Sequence, residues 1–132
     1  MRCAKKLGLP VCGVMLGGAD DRKTPGGIKA RIADTVEVLK KCRSQALELG
    51  VKVAVENHAG GMHSWEVREL IWTAGPDFVG NCFDTGNAAW TLEVPLDAME
   101  TLGPYIICSS LRDDMIWETE DGAMVQWTAA GE

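Results

Sequence analysis

Acidic side chains close two apolar segments of the chain, and they are spaced as if one strand, one helix and two loops lay between them. The segment Val51–Glu56 ends on Glu56, and the segment Phe78–Asp84 ends on Asp84, twenty-eight residues later. In a parallel α/β sheet the carboxyl ends of the strands meet at one edge, so we expect the two carboxylates to lie close together. Such a pair suits Mn²⁺ or Mg²⁺, and either acid could act as a general base next to a carbonyl. The alternative is that each acid accepts hydrogen bonds from the turn that follows it.

Further polar residues lie near the same predicted edge. Asp113 follows a third apolar segment, Tyr105–Ser110, and a turn or salt-bridge role is as open for it as a ligand role. His58 lies two residues beyond Glu56, on the same face if the chain stays extended, and could bind substrate or metal. His63 immediately precedes a predicted helix, which makes a ligand role less favoured. The glycine-rich loop 17–27 lacks the known phosphate-binding patterns.

Strands and helices alternate along the chain, which predicts an α/β fold with a parallel sheet and right-handed crossovers. After the N-terminal residues, expected to be a helix end, four strands are predicted; they are Pro10–Leu16, Val51–Glu56, Phe78–Asp84 and Tyr105–Ser110. Between them the apolar spacing predicts a long helix over Ile28–Leu49, a short one over Ser64–Thr73 and another beginning near Pro95. The tail has no helical period, and we expect a long loop with a short hairpin around Gly122.

The composition of the chain limits the classes of molecule that it is expected to bind. The formal net charge of -6 argues against nucleic acid, which requires a basic face, and it weakly disfavours an anionic membrane. The five scattered cysteines form no CxxC pair, which predicts reduced thiols in a cytoplasmic protein. Three of them, Cys12, Cys82 and Cys108, lie in apolar strands and are expected to be buried. A small-molecule sugar or keto compound remains as partner, and homo-oligomer formation is left open.

The five tryptophans permit two interpretations. Trp65 and Trp72 lie seven residues apart on one helix face, where packing in the core or at an interface is expected. Trp90 and Trp127 could instead line the wall of a pocket, because they lie in loop and tail segments.

Several stretches together resemble the sugar phosphate isomerase/epimerase superfamily, which has a xylose-isomerase-like TIM barrel. They are VAVENHAGG at residues 53–61, CFDTGNAAW at 82–90, SSLRD at 109–113 and VQWTAAGE at 125–132. The resemblance implies one incomplete domain over residues 1–132, a partial (β/α)8 TIM barrel of about four parallel βα units. These units would be the fourth to the seventh of the family barrel.

The resemblance also implies roles for individual residues. Glu56 and Asp84 match the first two metal ligands of the family, and Glu56 would also be one of two carboxylate bases. Ser110 stands in the place of the family's histidine and Asn87 where many members have a second histidine, so the ligand set departs from the family pattern. Substrate contacts are predicted for four residues in all, namely His58, Asn87, Ser110 and Arg112.

The implied function is metal-assisted proton transfer next to the carbonyl of a keto-sugar or sugar-derived substrate, with Mn²⁺ or Mg²⁺ as the metal. Three alternatives remain: a non-catalytic or degenerate barrel fragment, a lyase or dehydratase acting on a cyclic polyol, and the family's DNA-repair nuclease branch. The acidic charge counts against the last one. Because half a barrel leaves strand edges unpaired, we expect the chain to be a fragment of a longer enzyme and inactive by itself.

Overall fold

The computed structural model describes residues 1–131 of the chain, without the side chain of Ala19. Glu132, which closes the tail stretch of the resemblance, lies outside the described residues. The helices are α1 (Arg2–Lys6), α2 (Gly27–Leu49), α3 (Ser64–Ala74) and α4 (Pro95–Leu102). The strands are β1 (Val11–Met15), β2 (Lys52–Glu56), β3 (Val79–Asp84), β4 (Ile106–Ser110), β5 (Asp113–Thr119) and β6 (Gly122–Thr128).

The first four strands form one parallel sheet in the order β1-β2-β3-β4. Helices α2, α3 and α4 each connect one strand to the next, as expected of βα units. This confirms the predicted α/β class and the parallel sheet. The predicted strand and helix positions are confirmed to within a few residues, including the short helix ahead of β1.

The ends of the helices follow from local chemistry. Gly50 ends α2 with a φ of 63°, a left-handed conformation that glycine adopts without a steric cost. Pro95 begins α4, where its fixed φ suits the first turn and its missing N–H is not needed. These residues therefore set the loop lengths that bring each strand back beside its neighbour.

One face of the sheet packs against the helices. Val53, Val55, Val79 and Phe83 alternate along β2 and β3 and are buried against α2, α3 and α4. By the same alternation, the residues between them point to the other face, which is the inner face of a barrel segment. Glu56 and Asp84 belong to this inner face, at the carboxyl ends of their strands.

The tail forms an antiparallel hairpin from β5 and β6, with Glu120 and Asp121 as its two-residue loop. The hairpin was predicted at this position, but each strand has seven residues, so it is much longer than expected. Most of its side chains are exposed on both faces, which removes the apolar alternation that would have revealed the strands.

Candidate functional site

The site lies at the carboxyl ends of β2, β3 and β4. Glu56 pairs in register with Cys82 on β3, and Cys82 pairs with Cys108 on β4. One step further along the strands, Asp84 pairs with Ser110. The inner face therefore carries a lower row of one carboxylate and two thiols, and an upper row of one carboxylate and one hydroxyl. The predicted proximity of the two acids at one sheet edge is thereby confirmed.

Asn57 connects the ends of β2 and β3. Its Oδ1 accepts a hydrogen bond from the backbone N–H of Asp84 at 2.7 Å, and its Nδ2 donates to the carbonyl of Asp84 at 2.9 Å. Asn57 is buried, so these bonds replace water for two backbone groups just where the strand pairing ends. These two bonds fix the backbone of Asp84, and with it the point from which the Asp84 side chain projects.

Asp84 is fully buried and forms an ion pair with Arg112, which follows β4. The Nε of Arg112 donates to Oδ1 at 3.1 Å and to Oδ2 at 2.9 Å, and Nη2 also donates to Oδ2. Oδ1 accepts a further bond from the backbone N–H of Gly86 at 3.2 Å. The carboxylate is therefore neutralised by one fixed cation that is held in a bidentate arrangement.

Trp127, from β6, lies beneath the guanidinium group of Arg112. The Cζ of Arg112 is 4.7 Å from the centroid of the Trp127 ring, a cation–π arrangement, and Trp90 contacts the same ring at 5.9 Å between centroids. The hairpin strand thus reaches back over the end of β3. Trp90 and Trp127, both predicted to line a pocket wall, lie against each other next to the site.

Glu56 accepts a hydrogen bond from Asn87, the first residue of the short 3-10 helix Asn87–Thr91 that follows the turn after β3. The Nδ2 of Asn87 donates to Oε1 of Glu56 at 3.4 Å, a long hydrogen bond. Asn87 is buried, and its Oδ1 has no partner among the described residues. An unpaired buried oxygen next to a carboxylate is a place where a ligand hydroxyl or water can bind.

Cys82 and Cys108 of the lower row, and Cys12 on β1, are free and only half-buried, so the prediction that these three are buried is wrong. Burial, a hydrogen bond with Cys82 that favours the neutral thiol, and the charges of Cys82 and Glu56 raise the pKa of Cys108 to about 11. Its thiol is therefore protonated at neutral pH and is a poor nucleophile and metal ligand.

The other predicted residues take varied positions. His58 lies in the loop after β2, half-buried, with its Nδ1 buried and without a partner among residues 1–131. Asp113 has a backbone-binding role, since its carboxylate accepts bonds from the N–H groups of Asp114 and Gly131. Burial, followed by the charges of Asp113 and Asp84, raises the pKa of Asp114. His63 caps α3 together with Glu66.

Trp65 and Trp72 lie on the surface of α3, with exposed fractions of 46% and 64%. Packing in the core is therefore excluded for them, and packing at an interface stays a prediction. Trp90 also borders an open cavity of about 350 Å³ on the loop side of the sheet. The cavity is lined by Arg22, Gly60, His63, Trp90, Thr91 and Leu92.

The donor set does not fit a complete divalent metal site. Within residues 1–131, no group of three or more histidine, cysteine, aspartate or glutamate side chains could hold a metal ion. Asp84 is taken up by Arg112, and Ser110 offers a neutral hydroxyl that lies 4.0 Å from the thiol of Cys82. Metal binding by Glu56 and Asp84 therefore stays a prediction of the resemblance.

Two important residues were not identified from the sequence. Asn57 stands between Glu56 and His58, and its strand-end position was the available signal. Gly86 allows close approach, because a Cβ atom there would overlap Cζ3 of Trp127 and lie 3.0 Å from Cη2. Only the folded chain reveals that contact, since Trp127 is forty-one residues away in the sequence.

A parallel βα sheet with polar side chains at its strand ends defines the chain as a segment of an α/β barrel. The chain belongs to the xylose isomerase-like TIM barrel family, whose model matches residues 1–116. The predicted family and the partial barrel are thereby confirmed. A comparison of the sequence with curated proteins found no match.

Solved structures with the same fold are similar to this chain at low sequence identity. A xylose isomerase domain protein from Planctomyces limnophilus has a TM-score of 0.74 and 20% identity, over 97% of this chain and 45% of that one. A D-tagatose 3-epimerase-like protein has a TM-score of 0.69 and 20% identity, over 86% and 45%. The probable 3-DHS dehydratase AsbF from Bacillus anthracis has a TM-score of 0.63 and 13% identity, over 84% and 40%. The chain thus spans less than half the length of each of these proteins.

Proposed function

We propose that this chain supplies half of the active site of an enzyme that moves a proton next to the carbonyl of a keto-sugar or sugar-derived compound. The observation that carries the proposal is the carboxylate of Glu56, which ends a central strand on the inner face and is held by Asn87. The family of the chain and its likeness in fold to a D-tagatose 3-epimerase-like protein support the same chemistry. Such a base works best when its carboxylate is held at a fixed position.

The proposed role of each residue follows from its contacts. Glu56 removes the proton on the carbon next to the carbonyl, and the amide of Asn87 keeps its carboxylate oriented. The buried Oδ1 of Asn87 and the unpaired Nδ1 of His58 are free to bind substrate hydroxyl groups. Ser110 and Arg112, on the neighbouring strand end, complete the proposed substrate contacts. No step of this mechanism uses a metal ion.

A dehydratase is the second candidate, because the probable 3-DHS dehydratase AsbF has the same fold. Proton removal by Glu56 would then be followed by loss of a hydroxyl group from the adjacent carbon. A non-catalytic role is the third candidate, and it is supported by the replacement of the family's histidine by Ser110. Products therefore distinguish all three: a rearranged sugar, an unsaturated compound, or none.

We also propose that the protein acts in the cytoplasm on a small molecule and binds neither nucleic acid nor membranes. The five free cysteines and the acidic charge support this proposal. No helix of the described chain, residues 1–131, is long and apolar enough to cross a membrane.

Hydrogen exchange tests the assignment of Glu56. The natural full-length protein is incubated in D₂O with a panel of ketoses, and loss of the proton next to the carbonyl is followed by NMR. We expect Glu56→Gln to slow the exchange by about 10²–10⁴-fold, because the amide cannot accept the proton. Glu37→Gln is the matched control, since Glu37 is an exposed residue of α2. If Glu56→Gln exchanges the proton at the wild-type rate, the proposal is contradicted. If neither wild type nor Glu56→Gln catalyses exchange, the non-catalytic role is favoured.

A further inference from the structure

Four hydrogen bonds fill the coordination capacity of the Asp84 carboxylate. Gly86 and the Nε of Arg112 donate to Oδ1, while Nε and Nη2 of Arg112 donate to Oδ2. A carboxylate offers about four lone-pair positions, so a metal ion could bind Asp84 only by displacing Arg112. The carboxylate that the family resemblance gives to a metal is therefore already bound to a cation of the protein itself.

The surroundings hold Arg112 in this position from several directions. Its guanidinium group lies over Trp127, and its backbone N–H donates to Oγ1 of Thr85 at 2.9 Å. Thr85 in turn donates from its hydroxyl to the carbonyl of Arg112. An arginine anchored by its backbone, by a buried carboxylate and by an aromatic ring is a preorganised charge.

We propose that Arg112 is the resident cation of this site and takes the place of the divalent metal. This part of the inference depends only on the contacts of Asp84. The ion pair of Asp84 and Arg112 also explains why Ser110 can stand in the place of a histidine ligand. A metal ion would need that ligand from β4, whereas a guanidinium group does not.

The position of Arg112 also assigns it a role in the reaction, and this part rests on the proposed function. When Glu56 takes the proton, the C–H electron pair forms a carbon–carbon double bond and the carbonyl oxygen becomes negative. The side chain of Arg112 is 42% exposed, and only its Nε and Nη2 donate to Asp84. A guanidinium group has five N–H donors, so donors remain for that oxygen. The acid form of Glu56 then protonates the former carbonyl carbon, while the hydroxyl proton of the neighbouring carbon passes to the former carbonyl oxygen. The carbonyl thereby moves to the neighbouring carbon, and the isomerisation is complete.

Geometry allows both residues to reach one small substrate. Glu56 and Asp84 lie on adjacent strands, roughly 5 Å apart across the sheet, and Asp84 is one two-residue step, roughly 7 Å, further along the strand direction. Because the carbonyl oxygen and the proton that Glu56 removes belong to adjacent carbons, the side chains of Glu56 and Arg112 must converge across this separation on one end of the substrate.

Mn²⁺ binding by the natural full-length protein tests the first part without any activity measurement. After dialysis against a chelator, Mn²⁺ is titrated into wild type and into Asp84→Asn, and free Mn²⁺ is followed by electron paramagnetic resonance. We expect wild type to bind Mn²⁺ no more tightly than Asp84→Asn does, with a dissociation constant of about 1 mM or weaker. Binding at about 10 µM or tighter that Asp84→Asn abolishes overturns the proposal, because the metal must then displace Arg112. Mn²⁺ binding by wild type that is weaker than about 10 µM but still tighter than that of Asp84→Asn also overturns the proposal.

Arg112→Gln tests whether the guanidinium group is what excludes the metal. We expect this variant to gain at least about tenfold in Mn²⁺ affinity and to be stabilised by Mn²⁺ in thermal unfolding, whereas wild type is not. Arg43→Gln is the matched control, because Arg43 forms an exposed ion pair with Asp77. A gain below this size in folded Arg112→Gln overturns the proposal. If the variant does not fold, the comparison of wild type with Asp84→Asn decides.

The reaction role has a separate readout, so that its failure is distinguishable from failure of the proposed function. We expect proton exchange by wild type to persist after chelation, and Arg112→Lys to retain more of it than Arg112→Gln. Exchange that disappears on chelation and returns with Mn²⁺ overturns the role of Arg112 but leaves Glu56 as the base. If Glu56→Gln loses proton exchange and Arg112→Gln keeps the wild-type rate, the role of Arg112 is likewise overturned and Glu56 remains the base.

Discussion

Asn57 has both of its amide atoms bonded to the backbone of Asp84 at the end of the neighbouring strand. The residue lies where the ladder of β2 and β3 stops, so the N–H and carbonyl of Asp84 would otherwise be buried without partners. An aspartate in this place would lose the donor, and an alanine would lose both bonds. At the scale of single residues, the position of the Asp84 carboxylate thus depends on an amide.

Replacement of Asn57 by alanine is expected to destabilise the protein by about 3 kcal/mol, because it leaves two buried backbone groups unsatisfied. Urea unfolding monitored by circular dichroism measures the change. Gln126→Ala is the control, since Gln126 is exposed on β6 and a change within about 0.5 kcal/mol is expected there. A loss below about 1 kcal/mol for Asn57→Ala would show that the two bonds are readily replaced by water.

Trp127 connects the hairpin of β5 and β6 to the loop after β3. Its ring fits against Gly86, contacts Trp90 and supports Arg112, so one aromatic side chain links three separate segments. The φ of Gly86 is -89°, which any residue adopts, so only the close approach of Trp127 requires glycine here. At the scale of elements, the hairpin is therefore part of the site.

The substitution Gly86→Ala is expected to cost about 2 kcal/mol, because the added methyl group overlaps the Trp127 ring. In a Trp127→Ala background the same substitution should cost less than about 0.5 kcal/mol, and this coupling can be measured by a double-mutant cycle in urea. Gly103→Ala is the control, since no atom lies within 4 Å of a Cβ placed at Gly103. If Gly86→Ala destabilises wild type and Trp127→Ala equally, the Trp127 ring does not pack against Gly86.

The parallel sheet could be predicted from the sequence, but the contacts of the site could not. Apolar segments bounded by Gly50, Gly75-Pro76 and Gly103-Pro104 indicate where strands and helices end, and Glu56 and Asp84 then follow as strand-end residues. The ion pair of Asp84 with Arg112 depends on the register of β3 with β4, which includes an irregularity between Asn81 and Cys82. The register of β3 with β4 is decided by the packing of the folded chain, so the local sequence pattern does not predict it.

Surface strands and surface aromatic residues mark the other limit of sequence-based prediction. The hairpin exposes Ile116 and Trp117 as well as polar residues, so neither face shows the alternation of a half-buried strand. Trp65 and Trp72 are apolar in type but exposed, and only the packing of α3 reveals it. Residue type predicts burial well on the helix-facing side of β2 and β3 and poorly on the inner face and in the hairpin.

The molecule as a whole has two sheet edges that pair with nothing within residues 1–131, one at β1 and one at β4. In a closed eight-stranded barrel, further strands would cover both edges. Along β1, the side chains of Val14 and Met15 are exposed. A closed barrel built around this sheet would need parallel strands on both sides.

The 132-residue chain expressed alone is expected to self-associate through these edges, because unpaired backbone groups flanked by apolar side chains are templates for strand pairing. Light scattering at about 50 µM should give a mass well above the 14.3 kDa of one chain. Val14→Lys places a charge on the β1 edge and should shift the mass toward the monomer. Leu96→Lys is the matched control, since Leu96 is 68% exposed but lies on helix α4 and not on an edge strand. A wild-type chain that stays monomeric, or equal effects of the two lysines, would show that the open edges are protected without a partner.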